Sequence, residues 1–216
     1  MIANLDWSTA ATLATAIGTL VLAVATFASV RSANRAARVA EAAFQSNLRP
    51  VLVTSRIQDP MQKLRWADDH WVHLDGGQAS AELVDGSIYL AISVRNVGSG
   101  LAVPIGWSLN SQASRADMPH EDPDSFRPQT RDLYVAPSDM GFWHAAIRDH
   151  DDRDYGWLSK SLTEPAPFTI ELLYGDVEGG QRTISRFGMI PMHRDEEIRW
   201  YPSVARHWNL SRPDPR

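Results

Sequence analysis

Between Asp6 and Arg31 the chain carries no charged side chain, and the 24 residues from Trp7 to Val30, WSTAATLATAIGTLVLAVATFASV, also lack proline. As a helix rising about 1.5 Å per residue this run is about 36 Å long. The hydrocarbon core of a bilayer is about 30 Å thick. A soluble fold would have to surround such a helix with core on every face, and 216 residues leave little chain for that. A secretory signal wants Lys or Arg ahead of a shorter apolar run, and the preceding MIANLD has neither. The expectation is therefore a transmembrane α-helix over 7–30 in contact with the lipid bilayer, preceded by a short exterior N-terminus, 1–6. Its Thr and Ser hydroxyls can bond back to helix carbonyls, which lowers their cost in lipid. Ala10, Ala14 and Gly18 recur every four residues, a stripe of small side chains suited to self-association.

The flanking charges suggest a direction. Arg31, Arg35 and Arg38 follow the run within eight residues, whereas only Asp6 and the α-amino group precede it. Positive flanks stay cytoplasmic, which places the protein in the inner (plasma) membrane with its N-terminus outside and its C-terminal domain in the cytoplasm. Residues 31–49 continue in good helix formers, RSANRAARVAEAAFQSNLR, as a juxtamembrane helical stalk. The Arg49-Pro50 step ends it, because the residue before proline disfavours the helical conformation. Residues 50–216 hold 17 basic and 24 acidic residues, net -7, and the whole chain is at -5. That balance argues against a nucleic-acid partner. The absence of cysteine excludes disulfides, a thiol nucleophile and thiolate metal sites.

After Pro50 the apolar pattern changes to period two. PVLVTSRI, SIYLAISVRNV, AVPIGWSL, DLYVA, MGFWHAAI, FTIELLYGDV and RTISRFGMI read as strands, with Ile88, Leu90, Ile92 and Val94 on one face. FTIELLY and RTISRFGM flank GDVEGGQ, a glycine-rich hairpin connection. The expectation is a mainly-β antiparallel sandwich over 50–197 and a C-terminal tail over 198–216. Trp200, Tyr201 and Trp208 in that tail either dock on the sandwich or serve as a partner-binding tail, and docking is favoured because an exposed tail of this kind would be sticky. Polar stretches at 58–82, 111–129 and 148–165 read as surface loops or short helices, with a helical turn or two at 155–162.

One strand ends in Arg95-Asn-Val-Gly-Ser-Gly-Leu-Ala102, and Leu173-Tyr-Gly-Asp-Val-Glu-Gly179 leads into the hairpin. With the N-terminal apolar helix and the Arg/Ala-rich stalk ending in Arg-Pro, these segments resemble a class of uncharacterised bacterial single-pass membrane proteins. The resemblance implies an immunoglobulin-like β-rich domain and carries no function with it. Gly98 and Gly100 would supply backbone freedom there, and Asn96 would bond locally in the turn.

Reactive constellations are sparse. Asp69, His70 and His73 could ligate zinc only on a helix, whereas Trp66, Trp71, Val72 and Leu74 favour a strand that splits the histidines between faces. Asp149, Asp151, Asp152 and Asp154 match a calcium loop only in part, and Arg148 and Arg153 neutralise them. His120 to Asp124 carries less signal still. Ser99 lacks the strand–turn–helix setting of a serine nucleophile. No catalytic, cofactor-binding or metal residue is assigned from the sequence. The reading is a membrane-anchored binding or scaffolding module for an unidentified protein partner. The alternative is a membrane-tethered hydrolase in which the 149–154 loop, His120 and His144 converge.

Overall fold

The computed structural model describes residues 6–113, 118–194 and 197–211, without the side chains of residues 45–47. The chain divides into two units, Met1–Ser46 and Asn47–Arg216.

The first unit is helical, as part of α1 (Trp7–Asn47). Nothing between residues 19 and 47 interrupts it, because that stretch has neither glycine nor proline. The apolar run and the arginine-bearing run are thus one helix. Thr12, Thr15, Thr19 and Thr26 each donate the hydroxyl to the carbonyl four residues back at 2.7–2.9 Å, which satisfies these polar groups inside the helix. Leu13, Ile17, Leu20, Leu22, Val24 and Phe27 are all exposed. Long enough and apolar enough to cross a membrane, this helix buries none of its most apolar window against protein.

The second unit is an antiparallel β-sheet domain. Its strands are β1 (Leu52–Thr54), β2 (Gln62–Arg65), β3 (Trp71–Leu74), β4 (Ala79–Val84), β5 (Ser87–Asn96) and β6 (Val103–Asn110), followed by β7 (Arg127–Pro128) and β8 (Met140–Ile147). Helix α2 (Tyr155–Thr163) precedes β9 (Phe168–Gly175), β10 (Arg182–Arg194) and β11 (Glu197–Asn209). One sheet runs β1-β5-β4-β11-β10-β9-β6-β7, with β8 on the other side of β5. Its two halves join at a single pair, Trp200 against Ala79. Ile88, Leu90, Ile92 and Val94 of β5 share one core with Trp107, Trp143, Phe168, Ile170, Leu172, Phe187 and Met189. Burying side chains of this size on facing strands is the dominant stabilising term for the unit.

Several sequence expectations are corrected here. Segment 58–82 is not a surface loop: β2 and β3 pair as a separate hairpin, and Leu64, Trp66, Val72 and Leu74 cover Tyr89 and Ala91. β5 is consequently buried on both faces, which is why SIYLAISV is nearly unbroken apolar sequence. The tail expected over 198–216 is instead mostly strand: β11 pairs with β10 from Glu197 to Asn209, and residues 212–216 lie outside the described residues. DLYVA forms only an isolated bridge, Ala102 to Val135. The helical turns expected at 155–162 are present as α2, which seats Leu158 in the core. The Gly-rich connection between β9 and β10 is the hairpin that the sequence indicates.

Candidate functional site

The most distinctive motif, Asn96-Val-Gly-Ser-Gly100, is a clamp on the entry of the chain into the β domain. Asn96 is fully buried and uses both ends of its amide. Its Oδ1 accepts from the Val51 and Gly98 amides at 3.1 and 3.0 Å, and its Nδ2 donates to the Gly100 and Val135 carbonyls at 2.6 and 3.0 Å. Ser99 donates its amide to the Arg49 carbonyl. A Cβ at Gly98 would lie 2.2 Å from the Arg49 carbonyl oxygen, and one at Gly100 would lie 1.6 Å from that of Leu48. Only glycine lets the backbones approach so closely. Arg49 further donates to Gln181, and the Leu52 amide donates to the Tyr174 hydroxyl at 3.0 Å. Burial pushes that phenol up to about 12, so it stays protonated as the hub between Leu52 and Ser185.

The candidate reactive groups are satisfied separately. His70 stacks on Tyr89 at 4.0 Å and meets Glu82 at 3.2 Å, whereas His73 is exposed on β3 and Asp69 pairs with Arg65 at 2.8 Å. Arg127 bridges Asp152 and Asp154, both at 2.5 Å, and Asp154 also accepts from the Trp157 indole at 2.9 Å. Asp149 accepts from the Asp151 amide. The acidic loop is therefore tied down by an arginine, an indole and its own backbone. His120 lies at 5.4 Å from Trp208, and Asp122 caps the short turn of helix at Pro123–Ser125. Trp200 packs on Phe168 in the main core, and the guanidinium groups of Arg186 and Arg206 lie 4.7 and 5.2 Å from the centre of the Trp208 ring. Among the described residues no group of three or more His, Asp and Glu side chains could hold a metal ion.

His144 has different surroundings. It sits on β8 beside an open cavity of about 540 Å³ lined by Arg65, Trp66, Gln129, Arg131, Ala145 and Arg148, among others. Gln129 fastens one wall, accepting from the Trp143 indole at 3.0 Å and donating to the His144 carbonyl at 3.3 Å. The Trp66 indole fastens the other by donating to the Ala145 carbonyl at 3.2 Å. At the rim, Arg131 donates to the Arg65 carbonyl, and Arg148 pairs with Asp68 at 2.7 Å. Asp68 also accepts the Tyr89 hydroxyl at 2.6 Å; that bond, then Arg148, holds its carboxyl down to about 2. His144 is 5% exposed, and its Nδ1 has no hydrogen-bond partner among the described residues. Burial first, and the nearby Arg131 charge second, lower it to about 4, so the imidazole is neutral at pH 7.

The sequence singles out His144, Trp66 and Arg148 separately and does not bring them together, because Arg65–Ala67, Gln129–Arg131 and His144–Arg148 lie far apart in the chain. No spacing rule could have joined them. Comparison of the chain with models of known families, with curated proteins and with solved structures finds no match.

Proposed function

We propose that this chain is a single-pass membrane protein of a bacterial inner membrane whose β domain, immunoglobulin-like in its layout, works in the cytoplasm as a binding or scaffolding module. The observation that carries the reading is α1: a charge-free run of 24 residues on a helix whose apolar side chains are exposed on every side. In water that surface would be a strong aggregation liability, and in lipid it is at home. Ala10, Ala14 and Gly18 offer it a stripe for self-association. Binding is favoured over hydrolysis because His120, His144 and the 149–154 loop engage different partners, and Arg127 occupies two of the loop carboxylates.

Reporter fusions after Arg216 test the orientation. A fluorescent protein that matures only in the cytoplasm is expected to be active there, and a phosphatase that folds only outside is expected to be silent. The reverse pattern would overturn the cytoplasmic assignment and make the β domain an exported one.

A further inference from the structure

We propose that the cavity beside β8 binds a small organic anion through a carboxylate or phosphate group, with Arg131 and His144 as its principal contacts. This inference rests on the reading of the β domain as a binding module and names the chemical class it would bind.

Four observations converge on that class. First, the lining holds three arginines, Arg65, Arg131 and Arg148, and no carboxylate, although residues 50–216 as a whole carry a net charge of -7. A local positive cavity in an acidic body concentrates anions at one place. Second, the three arginines are not equally engaged. Arg65 and Arg148 are held by Asp69 and Asp68, whereas Arg131 has no carboxylate partner among the described residues and donates only to the Arg65 carbonyl. Its planar fork of donors is the group best matched to a carboxylate or phosphate. Third, His144 lines the cavity, and neither of its ring nitrogens has a hydrogen-bond partner among the described residues, Nδ1 being covered by protein. Orphaned buried polar atoms are uncommon in folded proteins, and a water or bound group is one way such a site is completed. Neutral imidazole carries one N–H and can donate it to an oxyanion. Fourth, Trp66, Ala145 and Ala146 provide apolar wall, and about 540 Å³ is room for a small molecule rather than a bare ion.

The walls are also built to keep their shape. Gln129 and Trp66 each bond to the backbone of β8, and Trp66 packs at 5.1 Å from His144 and 5.3 Å from Tyr89. An anion entering this cavity meets a β8 wall that is already fastened, so little ordering of that strand opposes binding.

The test uses the full chain in nonionic detergent micelles, which accommodate it whether or not it spans a bilayer. The histidine ring signals are followed by NMR, with His144 assigned by its loss in His144→Gln. Inorganic phosphate and acetate are titrated as soluble probes, and micelles doped with phosphatidic acid present the phosphate group on a lipid. The expected result is a saturable shift of the His144 signal with at least one probe, the responding probe naming the source. Arg131→Gln, at an exposed position, is expected to leave the melting temperature in place and to weaken binding by about tenfold or more. Arg199→Gln, on β11, should leave it unchanged. No saturable shift with any probe, or a shift that survives in Arg131→Gln, would overturn the proposal. Neither outcome bears on the membrane anchor, which the fusion experiment tests separately.

Discussion

Replacing Asn96 with leucine should cost the β domain about 3–5 kcal/mol, because it strands the Val51 and Gly98 amides in a buried site and removes two donors from carbonyls nearby. The side chain is fully buried, so water cannot step in to repair the loss. Gly100→Ala should fail for a different reason. Its Cβ would meet the carbonyl oxygen of Leu48, a backbone atom that cannot rotate aside, so the strand end and the incoming chain must separate. Urea unfolding of the full chain in detergent, followed through the tryptophan signal, would measure both. A loss below about 1 kcal/mol for Asn96→Leu would mean that this turn is not the clamp described. The two substitutions together should cost less than the sum of their separate effects, since both open the same junction.

The second large effect is expected at Arg186. Its Nε and Nη2 donate to Glu171 at 2.8 and 2.5 Å, and the same guanidinium reaches the carbonyls of Met118 and Pro119. Both side chains of the pair are nearly inaccessible, at 6% and 3%. Arg186→Met would leave the Glu171 carboxylate buried without its cation, at a cost of about 3–5 kcal/mol. Adding Glu171→Leu removes that stranded charge, so the double variant should be more stable than Arg186→Met alone, although the Glu121 amide then loses its acceptor. Thermal unfolding of the two variants decides the matter. A double variant less stable than the single one would show that the pair contributes through its contacts to 118–121 rather than through mutual compensation.

The parts of this fold that are legible in the sequence are those in which one segment carries its own signal. The helix declares itself by a long uncharged run without glycine or proline breaks after Gly18. The pair β9 and β10 declares itself by two alternating runs around a glycine-rich connection. Asn96, Gly98 and Gly100 are also recognisable as a turn, but what they hold, residues 48–51, is visible only in three dimensions. Elsewhere the signal is divided. β2 is four residues long and QKLR has a single apolar side chain, so it reads as loop until Tyr89 and Ala91 are seen to need a cover, whereas Trp71, Val72 and Leu74 of β3 do favour a strand. β11 contains Pro202, a residue that normally argues against a central strand. It is tolerated because β11 pairs along its length only with β10, and meets β4 at Trp200 alone. The cavity was the least legible feature, since its three walls come from separated segments and its one distinguishing mark is an unpartnered ring nitrogen.

Alkaline carbonate extraction of membranes from cells producing the full chain tests α1 as a membrane anchor most directly. The chain is expected to stay in the membrane pellet, and a variant carrying Leu20→Arg and Val24→Arg in the middle of the apolar run should shift to the supernatant. Each buried arginine costs about 2.5–3.5 kcal/mol at the centre of a spanning helix. Recovery of the unaltered chain in the carbonate supernatant would contradict the anchor, and with it the proposal of a membrane-held binding module.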